Sequence, residues 1–329
     1  MKNLSRGIFM WFPFLLAVFM VFLGGCTLLR VAKGNYYLDN KKYKEGIVAF
    51  EQELKANPQS AEAQYFMGRF QLAENHPKEA RYFLQQAVKL SPNKADYHFW
   101  LGVAYAANKE SDLERKSYLQ AIELDDKHVQ ALTYLGHNQL DKFEYENALN
   151  TYNKVLKLSP DNPSALYNRA IILKHFRRTP EERVAWKEYL ALYPHEAMAQ
   201  QAAMNLNELG DFEYRNYLIG SRTVTLKKVR FEPLTAEVQT NSHESLDFLG
   251  EILQNNKTVA IHIVAYQKGT EKMAELRVKS IKIYLLNKFP EINTSRLMVS
   301  WFGVPEEIRI GTKTFKEDES INFFTAVQK

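Results

Sequence analysis

The chain has a single cysteine, Cys26, in 329 residues. One cysteine cannot form an intramolecular disulfide, so the sequence excludes a fold held together by disulfides. A free thiol exposed in an oxidising compartment would be a liability, which favours a covalent role for Cys26.

The chain also lacks a strong excess of charge, since its net charge is only +5 at pH 7. Lys2 and Arg6 contribute part of that excess, residues 27–221 are balanced, and residues 222–329 are mildly basic. Neither block carries the dense basic stripe of a nucleic-acid-binding surface, so no nucleic-acid partner is predicted.

Catalytic and cofactor motifs are missing as well. The sequence contains no G-x-S-x-G, no P-loop and no G-x-G-x-x-G. No two histidines stand four residues apart, so the spacing of zinc ligands on a helix is absent. We therefore predict no enzyme, no metal and no cofactor. The histidines are His76, His98, His128, His137, His175, His195, His243 and His262.

The amino terminus reads as an export signal. Lys2 and Arg6 precede an apolar run over residues 8–23, which Pro13 interrupts. That run is shorter than the ~20 residues that cross a bilayer as a helix. Residues 1–25 are therefore predicted to be a signal peptide.

The residues that follow carry a second signal. The sequence Leu23-Gly24-Gly25-Cys26 resembles the lipobox of bacterial lipoproteins. The resemblance implies cleavage before Cys26 and a diacylglyceryl group on its thiol, which anchors the chain in a membrane. Thr27 stands where an Asp retains such lipoproteins at the inner membrane, so we expect the outer membrane, facing the periplasm. The alternative is a plain signal anchor with a chance cysteine.

A repeat of 34 residues runs through the first two thirds of the chain. A small residue recurs in register, and a large residue follows it sixteen positions later. We expect the small residue to let two helices approach and the large residue to fill the space between them. The small residues are Gly34, Gly68, Gly102, Gly136 and Ala170. The large residues are Phe50, Leu84, Tyr118, Tyr152 and Trp186. Pro58, Pro92, Asp126, Pro160 and Pro194 mark the ends of the units.

This pattern resembles five consecutive tetratricopeptide repeats, an α-solenoid of helix pairs. A capping helix is predicted over residues 197–209, ended by Gly210, so the solenoid domain spans 26–210. The resemblance implies a concave groove that binds an extended peptide or a partner helix. The alternative is that some of its residues pack against the capping helix or the second domain. The expected groove residues are Tyr65, Arg69, Phe99, Val103, Thr133, His137, Tyr167, Ile171, Lys174 and His175.

Beyond Gly220 the hydrophobic period changes from 3.6 to 2. Strands are predicted at 223–231, 258–266, 297–302 and 320–327, and helices at 242–255 and 271–289. The order predicts a small α+β sandwich with one helical layer over residues 222–329.

This second domain resembles the OmpA-like, peptidoglycan-associated family. The helix RVKSIKIYL from Arg277 is similar to the family helix, Phe231 fits its first strand, and Gly303 with Pro305 fits the end of its third. The resemblance implies that Arg277 is a remnant of a peptidoglycan site. Lys268 stands where the family has an Asp, which reverses the charge offered to the ammonium group of the wall peptide. We expect the fold to be kept and wall binding to be lost, with Arg277 a remnant or a surface group.

Together these features predict a lipoprotein that acts as a protein–protein interaction scaffold in an envelope complex for secretion, pili, motility or wall association. The alternative is a tether that binds peptidoglycan directly between the outer membrane and the wall. An enzyme of wall metabolism is a third possibility, which no motif supports.

Overall fold

The computed structural model describes residues 28–326. The predicted signal peptide at 1–25 and the predicted lipidation site Cys26 lie outside these residues and stay predictions. Within 28–326, no helix combines the length and hydrophobicity that crossing a membrane requires. The chain divides into two compact units, Met1–Pro160 and Asp161–Lys329.

The described part of the first unit is built of eight helices in four consecutive pairs. The first helices of the second, third and fourth pairs start 34 residues apart, as the repeat predicts. Pro58, Pro92 and Pro160 each lie two residues beyond the end of a helix. The helices are α1 (28–39), α2 (Tyr43–Ala56), α3 (Ala61–Ala73), α4 (Pro77–Leu90), α5 (Ala95–Ala107), α6 (Ser111–Leu124), α7 (Val129–Asp141) and α8 (Tyr145–Leu158).

The recurring glycines mark where the two helices of a pair touch. A Cβ at Gly102 would lie 2.4 Å from Cε1 of Tyr118, and one at Gly136 would lie 2.7 Å from Cε1 of Tyr152. Both tyrosine rings are fully buried. The predicted pairing of a small with a large residue is therefore a direct contact that leaves no space for a side chain in the second, third and fourth repeats. In the first repeat, the atoms nearest to a Cβ at Gly34 belong to Phe66 and not to the predicted Phe50.

The turn inside each repeat holds one residue in the left-handed region, again every 34 residues, with φ between 55° and 63°. Asn, Lys and Arg occupy four of these positions, but the fourth repeat has Phe143, whose side chain is 74% exposed. A bulky residue is unfavourable in this region. The five residues are Lys41, Asn75, Lys109, Phe143 and Arg177.

Replacing Phe143 by Asn is expected to stabilise the first unit by roughly 0.5–1 kcal/mol, because Asn tolerates the left-handed conformation better. The urea midpoint of unfolding measures the change. Leu113→Asn is the control, since it also removes an exposed apolar side chain but from ordinary helix, where Asn is unfavourable. If both variants shift the midpoint equally, backbone strain at Phe143 is not the cause.

The second unit begins with the fifth repeat and continues into the sheet. Its helices are α9 (Pro163–His175), α10 (Thr179–Leu192), α11 (Ala199–Glu208), α12 (His243–Asn255) and α13 (Glu271–Lys288). Its strands are β1 (Tyr214–Ile219), β2 (Arg222–Lys227), β3 (Ala260–Gln267), β4 (Leu297–Phe302), β5 (Glu306–Ile310), β6 (Lys313–Glu317) and β7 (Glu319–Ala326).

The central sheet has the order β4-β3-β7, with β4 parallel and β7 antiparallel to β3. Ile263 of β3 stands between Val299 of β4 and Phe323 of β7. Apolar residues of α12 and α13, including Leu249 and Ile281, are buried in the same core cluster as these strands. Two hairpins, β1–β2 and β5–β6, complete the unit.

The hairpin β1–β2 is attached to both of its neighbours in this unit. The Tyr217 hydroxyl donates to the carbonyl oxygen of Ile321 on β7 at 3.3 Å. From α11, the Asn207 amide donates to the carbonyl oxygen of Tyr214 at 2.8 Å, and the Gln200 amide donates to that of Thr223 at 2.9 Å. The predicted capping helix is therefore present as α11, and it packs against the β1–β2 hairpin.

Three observed strands, β1, β5 and β6, were not predicted from the sequence, and one predicted strand is longer than the observed one. The predicted strand 223–231 ends at Lys227, and Phe231 forms only an isolated bridge with Val238. Strands β5 and β6 are five residues long and carry three charged residues each, so their apolar alternation is too short to predict a strand. Ion pairs hold this hairpin in place, with Arg215 bidentate on Glu306 at 2.8 and 2.9 Å, and Lys228 on Glu317.

Candidate functional site

The first helices of the four repeats in the first unit line one groove of about 660 Å³. Helices α1, α3, α5 and α7 each contribute residues, together with the turns before α5 and α7. The lining residues are Val31, Asn35, Glu62, Tyr65, Phe66, Arg69, Lys94, Ala95, Asp96, Tyr97, Phe99, Trp100, Asp125, His128, Gln130 and Tyr134.

Arg69 lies in this groove between two aromatic rings. Its guanidinium carbon is 4.3 Å from the ring centroid of Trp100 and 5.4 Å from that of Tyr65. An Arg69 N–H donates to the Tyr65 hydroxyl at 3.2 Å, while the buried Nε has no acceptor within the described chain. Burial raises the pKa of Tyr65 to about 12, so this neighbour stays neutral and does not cancel the cation.

A carboxylate lies in the same groove, at Asp96. The backbone N–H of Ala131 donates to Nδ1 of His128 at 3.2 Å, which places the ring hydrogen of His128 on Nε2. Nε2 then donates to the Asp96 carboxylate at 3.2 Å. This hydrogen bond lowers the pKa of Asp96, so the groove presents an anion as well as the Arg69 cation.

Three of the predicted groove residues in the first unit line the groove, namely Tyr65, Arg69 and Phe99. Tyr65 is 9% and Phe99 4% exposed, so their rings also belong to the packing between helices. Val103, Thr133 and His137 are not among the lining residues. His137 packs against the rings of Tyr134 and Tyr152, and burial lowers its pKa.

The predicted groove residues of the fifth repeat belong to the second unit. The Tyr167 ring centroid lies 5.3 Å from those of both Trp186 and Tyr189. The Lys174 ammonium contacts Asn205 at 2.6 Å and Glu208 at 2.8 Å, both on α11. Lys174 therefore packs against the capping helix, as the alternative interpretation expected. His175 is exposed and Ile171 half-buried on the same helix, α9.

Sequence reasoning missed the residues one turn away from the predicted positions. If the first residue of α3, α5 or α7 is counted as position 1 of its repeat, position 2 supplies Glu62, Asp96 and Gln130, and position 6 supplies Phe66, Trp100 and Tyr134. On this count the predicted residues Tyr65 and Phe99 are at position 5, and Arg69 is at position 9. Positions 2, 5, 6 and 9 form one stripe on a helix because they are three or four residues apart. That spacing was the available signal.

Arg277 is buried, so the expectation of a surface group is wrong, while its being a remnant of a peptidoglycan site stays a prediction. It is 7% exposed and donates to the carboxylate of Glu319 at 2.6 Å and to the carbonyl oxygen of Thr235 at 3.2 Å. It also donates to Gln267, and its guanidinium carbon lies 4.7 Å from the ring of Phe231. These contacts connect the ends of β3 and β7 to the loop after β2.

Little space remains beside Arg277. The cavity that it lines with Phe231, Tyr266 and Glu319 has a volume of about 10 Å³. This is room for about one water molecule. Lys268 points elsewhere, since its ammonium pairs with Asp318 at 3.3 Å on the exposed surface.

Among residues 28–326, no cluster of three His, Cys, Asp or Glu side chains could hold a metal ion.

Comparison with known proteins identifies the repeats. Residues 37–98 and 141–174 match family models described as tetratricopeptide repeat and TPR repeat, and residues 80–129 match a third model of the same description. The chain therefore contains tetratricopeptide repeats, a fold that typically forms non-enzymatic scaffolds for protein–protein interaction. The matches indicate no catalytic family.

Comparison with solved structures finds similar repeat proteins. PilF of Pseudomonas aeruginosa is 18% identical, with 57% of this chain and 85% of that chain covered and a TM-score of 0.53. MamA is 21% identical over 48% of this chain and 93% of that chain, with a TM-score of 0.45. YrrB, described as a TPR protein with an unusual peptide-binding site, is 17% identical over 51% and 87%, with a TM-score of 0.45. No curated protein matches this chain.

Proposed function

We propose that this protein is a lipid-anchored scaffold on the periplasmic face of a bacterial outer membrane. Its groove in the first four repeats captures a segment of a partner protein within an envelope complex. The observation that carries the groove proposal is Arg69, a cation stacked between Tyr65 and Trp100 with an unused donor.

Arg69 has a charge that its surroundings leave available. Among the described residues, no carboxylate forms an ion pair with it. An arginine held between aromatic rings has few rotamers left to lose on binding, so it is organised to receive an anion. A partner segment that places a carboxylate there gains a charge-assisted hydrogen bond, and the surrounding rings bury its apolar groups.

Arg69→Glu is expected to weaken partner capture at least tenfold, because it replaces an attraction of about 1.5–3 kcal/mol by repulsion. A photo-crosslinking residue at Gln130, an exposed groove position, would report capture in cells. Tyr167→Ala is unsuitable for this test because that ring packs against Trp186 and Tyr189.

Lys89→Glu is the matched control, since it reverses one charge at an exposed position of α4 that does not line the groove. It should leave crosslinking unchanged. If Arg69→Glu crosslinks like the unaltered protein, the groove is not the capture site.

The anchor proposal rests on the sequence around Cys26. Cys26→Ser is expected to release the protein from membranes or to mislocalise it, because the acyl chains would be missing. Fractionation after a high-salt wash measures this. A Cys26→Ser protein that matures normally and stays with the outer-membrane fraction would contradict the lipoprotein proposal.

The alternative function, a peptidoglycan tether, has less support. Arg277 is engaged by its own neighbours, and Lys268 presents a cation where the family presents an acid. We therefore expect weak or no sedimentation of the purified protein with peptidoglycan. Strong sedimentation that depends on Arg277 would make the tether the leading function.

A further inference from the structure

Strand β4 is the outermost strand of the three-stranded sheet, with β3 as its single neighbour among the described residues. Its sequence, LMVSWF, has no charge and no proline. Charged residues and prolines usually protect an edge strand, because an open edge offers backbone donors and acceptors to a strand of another chain. The β4 edge has little protection of its own.

Helix α13 places lysines beside this edge. The Lys279 ammonium lies 5.5 Å from the ring centroid of Trp301. The Lys282 ammonium donates to the carbonyl oxygen of Leu297 at 2.6 Å, at the start of β4. Glu275 pairs with both Lys272 and Lys279, and Glu271 lies beside Gly303 just after β4. Lys272, Lys279 and Lys282 outnumber these two acids by one, so this flank of α13 remains net positive.

The opposite face of β4 carries Met298, Ser300 and Phe302, of which Ser300 is hydrogen-bonded to His262 of β3 at 2.8 Å. Met298 and Phe302 alternate with the helix-facing residues, and their side chains are 37% and 45% exposed. The two faces of the edge therefore differ in chemistry, one flanked by lysines and the other by exposed apolar groups.

We propose that the β4 edge binds an extended segment of a partner protein as an added strand, and that this segment alternates acidic and large apolar residues. Successive side chains of a strand point to opposite faces. The acidic residues would face Lys279 and Lys282, and the apolar residues would lie beside Met298 and Phe302. Backbone pairing with β4 supplies the remaining contacts.

Charge also argues against a second copy of this chain on the edge. Pairing β4 with its own copy would bring the two lysine-bearing flanks of α13 together, and like charges repel. An acidic segment meets no such penalty. This site lies in the second unit and is independent of the groove proposed in the first.

The test uses the purified protein and a fluorescent octapeptide that alternates Glu and Val. We expect binding, together with slower amide hydrogen exchange over residues 298–302. A peptide with the four Glu before the four Val should bind at least tenfold more weakly. The alternating peptide with N-methyl groups along one edge should also lose at least tenfold.

Lys279→Glu is expected to weaken binding of the alternating peptide at least tenfold. Lys313→Glu, the same change on the exposed β5–β6 hairpin, should alter it less than twofold. Equal binding of the block-sequence peptide, unchanged exchange over 298–302, or an unaffected Lys279→Glu variant would overturn the proposal. So would a peptide-free dimer that protects the same amides, since it would assign the edge to a second copy.

Discussion

Gly102→Leu is expected to destabilise the first unit by roughly 1–3 kcal/mol or more, because overpacking forces neighbouring side chains out of their rotamers. The Cβ alone would stand 2.4 Å from Tyr118, whose ring is fully buried and cannot swing into solvent. The helices α5 and α6 would have to separate, and each repeat depends on its neighbours for a buried face. Urea unfolding followed by circular dichroism measures the loss of helix.

Lys116→Leu is the control, since it adds the same side chain at an exposed position of α6. It should change stability by less than about 0.5 kcal/mol. Unfolding of Gly102→Leu at the same urea concentration as the unaltered protein would mean that the close approach of the two helices is not needed.

Arg277→Ala is expected to destabilise the second unit by about 2–3 kcal/mol, because it removes a buried cation and leaves its acceptors unpaired. The Glu319 side chain is 53% exposed, so water can solvate it after the loss, which keeps the effect below that of a fully buried pair. Amide hydrogen exchange in α13 and β3 is the suitable measurement, since a chain of two units need not unfold in one step.

Lys268→Ala is the matched control. This change also removes one positive charge near the end of β3. The charge belongs to the ion pair of Lys268 with Asp318, whose side chains are 62% and 66% exposed. Such a pair contributes about 0–1 kcal/mol. An Arg277→Ala variant with exchange rates like those of the unaltered protein would return Arg277 to the role of a surface remnant.

Much of the repeat array was predictable because its signal is periodic. Gly102 and Tyr118 are sixteen residues apart in sequence, and the repeat places Gly68 against Leu84 and Gly136 against Tyr152 in the same way. The predicted strand 297–302 and the predicted helix 271–289 were also found nearly as expected, since each carries a clear apolar period. The strands β5 and β6 were missed because their residues are mostly charged and their partners, Arg215 and Lys228, lie far away in sequence.

The groove, too, was predicted from the sequence only in part. The resemblance to tetratricopeptide repeats predicted Tyr65 and Arg69 as groove residues. It did not predict that Trp100 stacks on the Arg69 guanidinium, because Trp100 is 31 residues away in sequence and reaches Arg69 only when the helices of adjacent repeats pack. Sequence also could not tell that Lys174 is held by α11 or that Arg277 is enclosed by Gln267, Thr235 and Glu319.

The sequence by itself determined the helix pairs, their period and the small-to-large contacts, because these depend on residues within one repeat. The tertiary structure alone decided which cations are free to bind. The availability of Arg69, Lys174 or Arg277 depends on carboxylates and carbonyls brought near by distant segments, and no local pattern records that proximity.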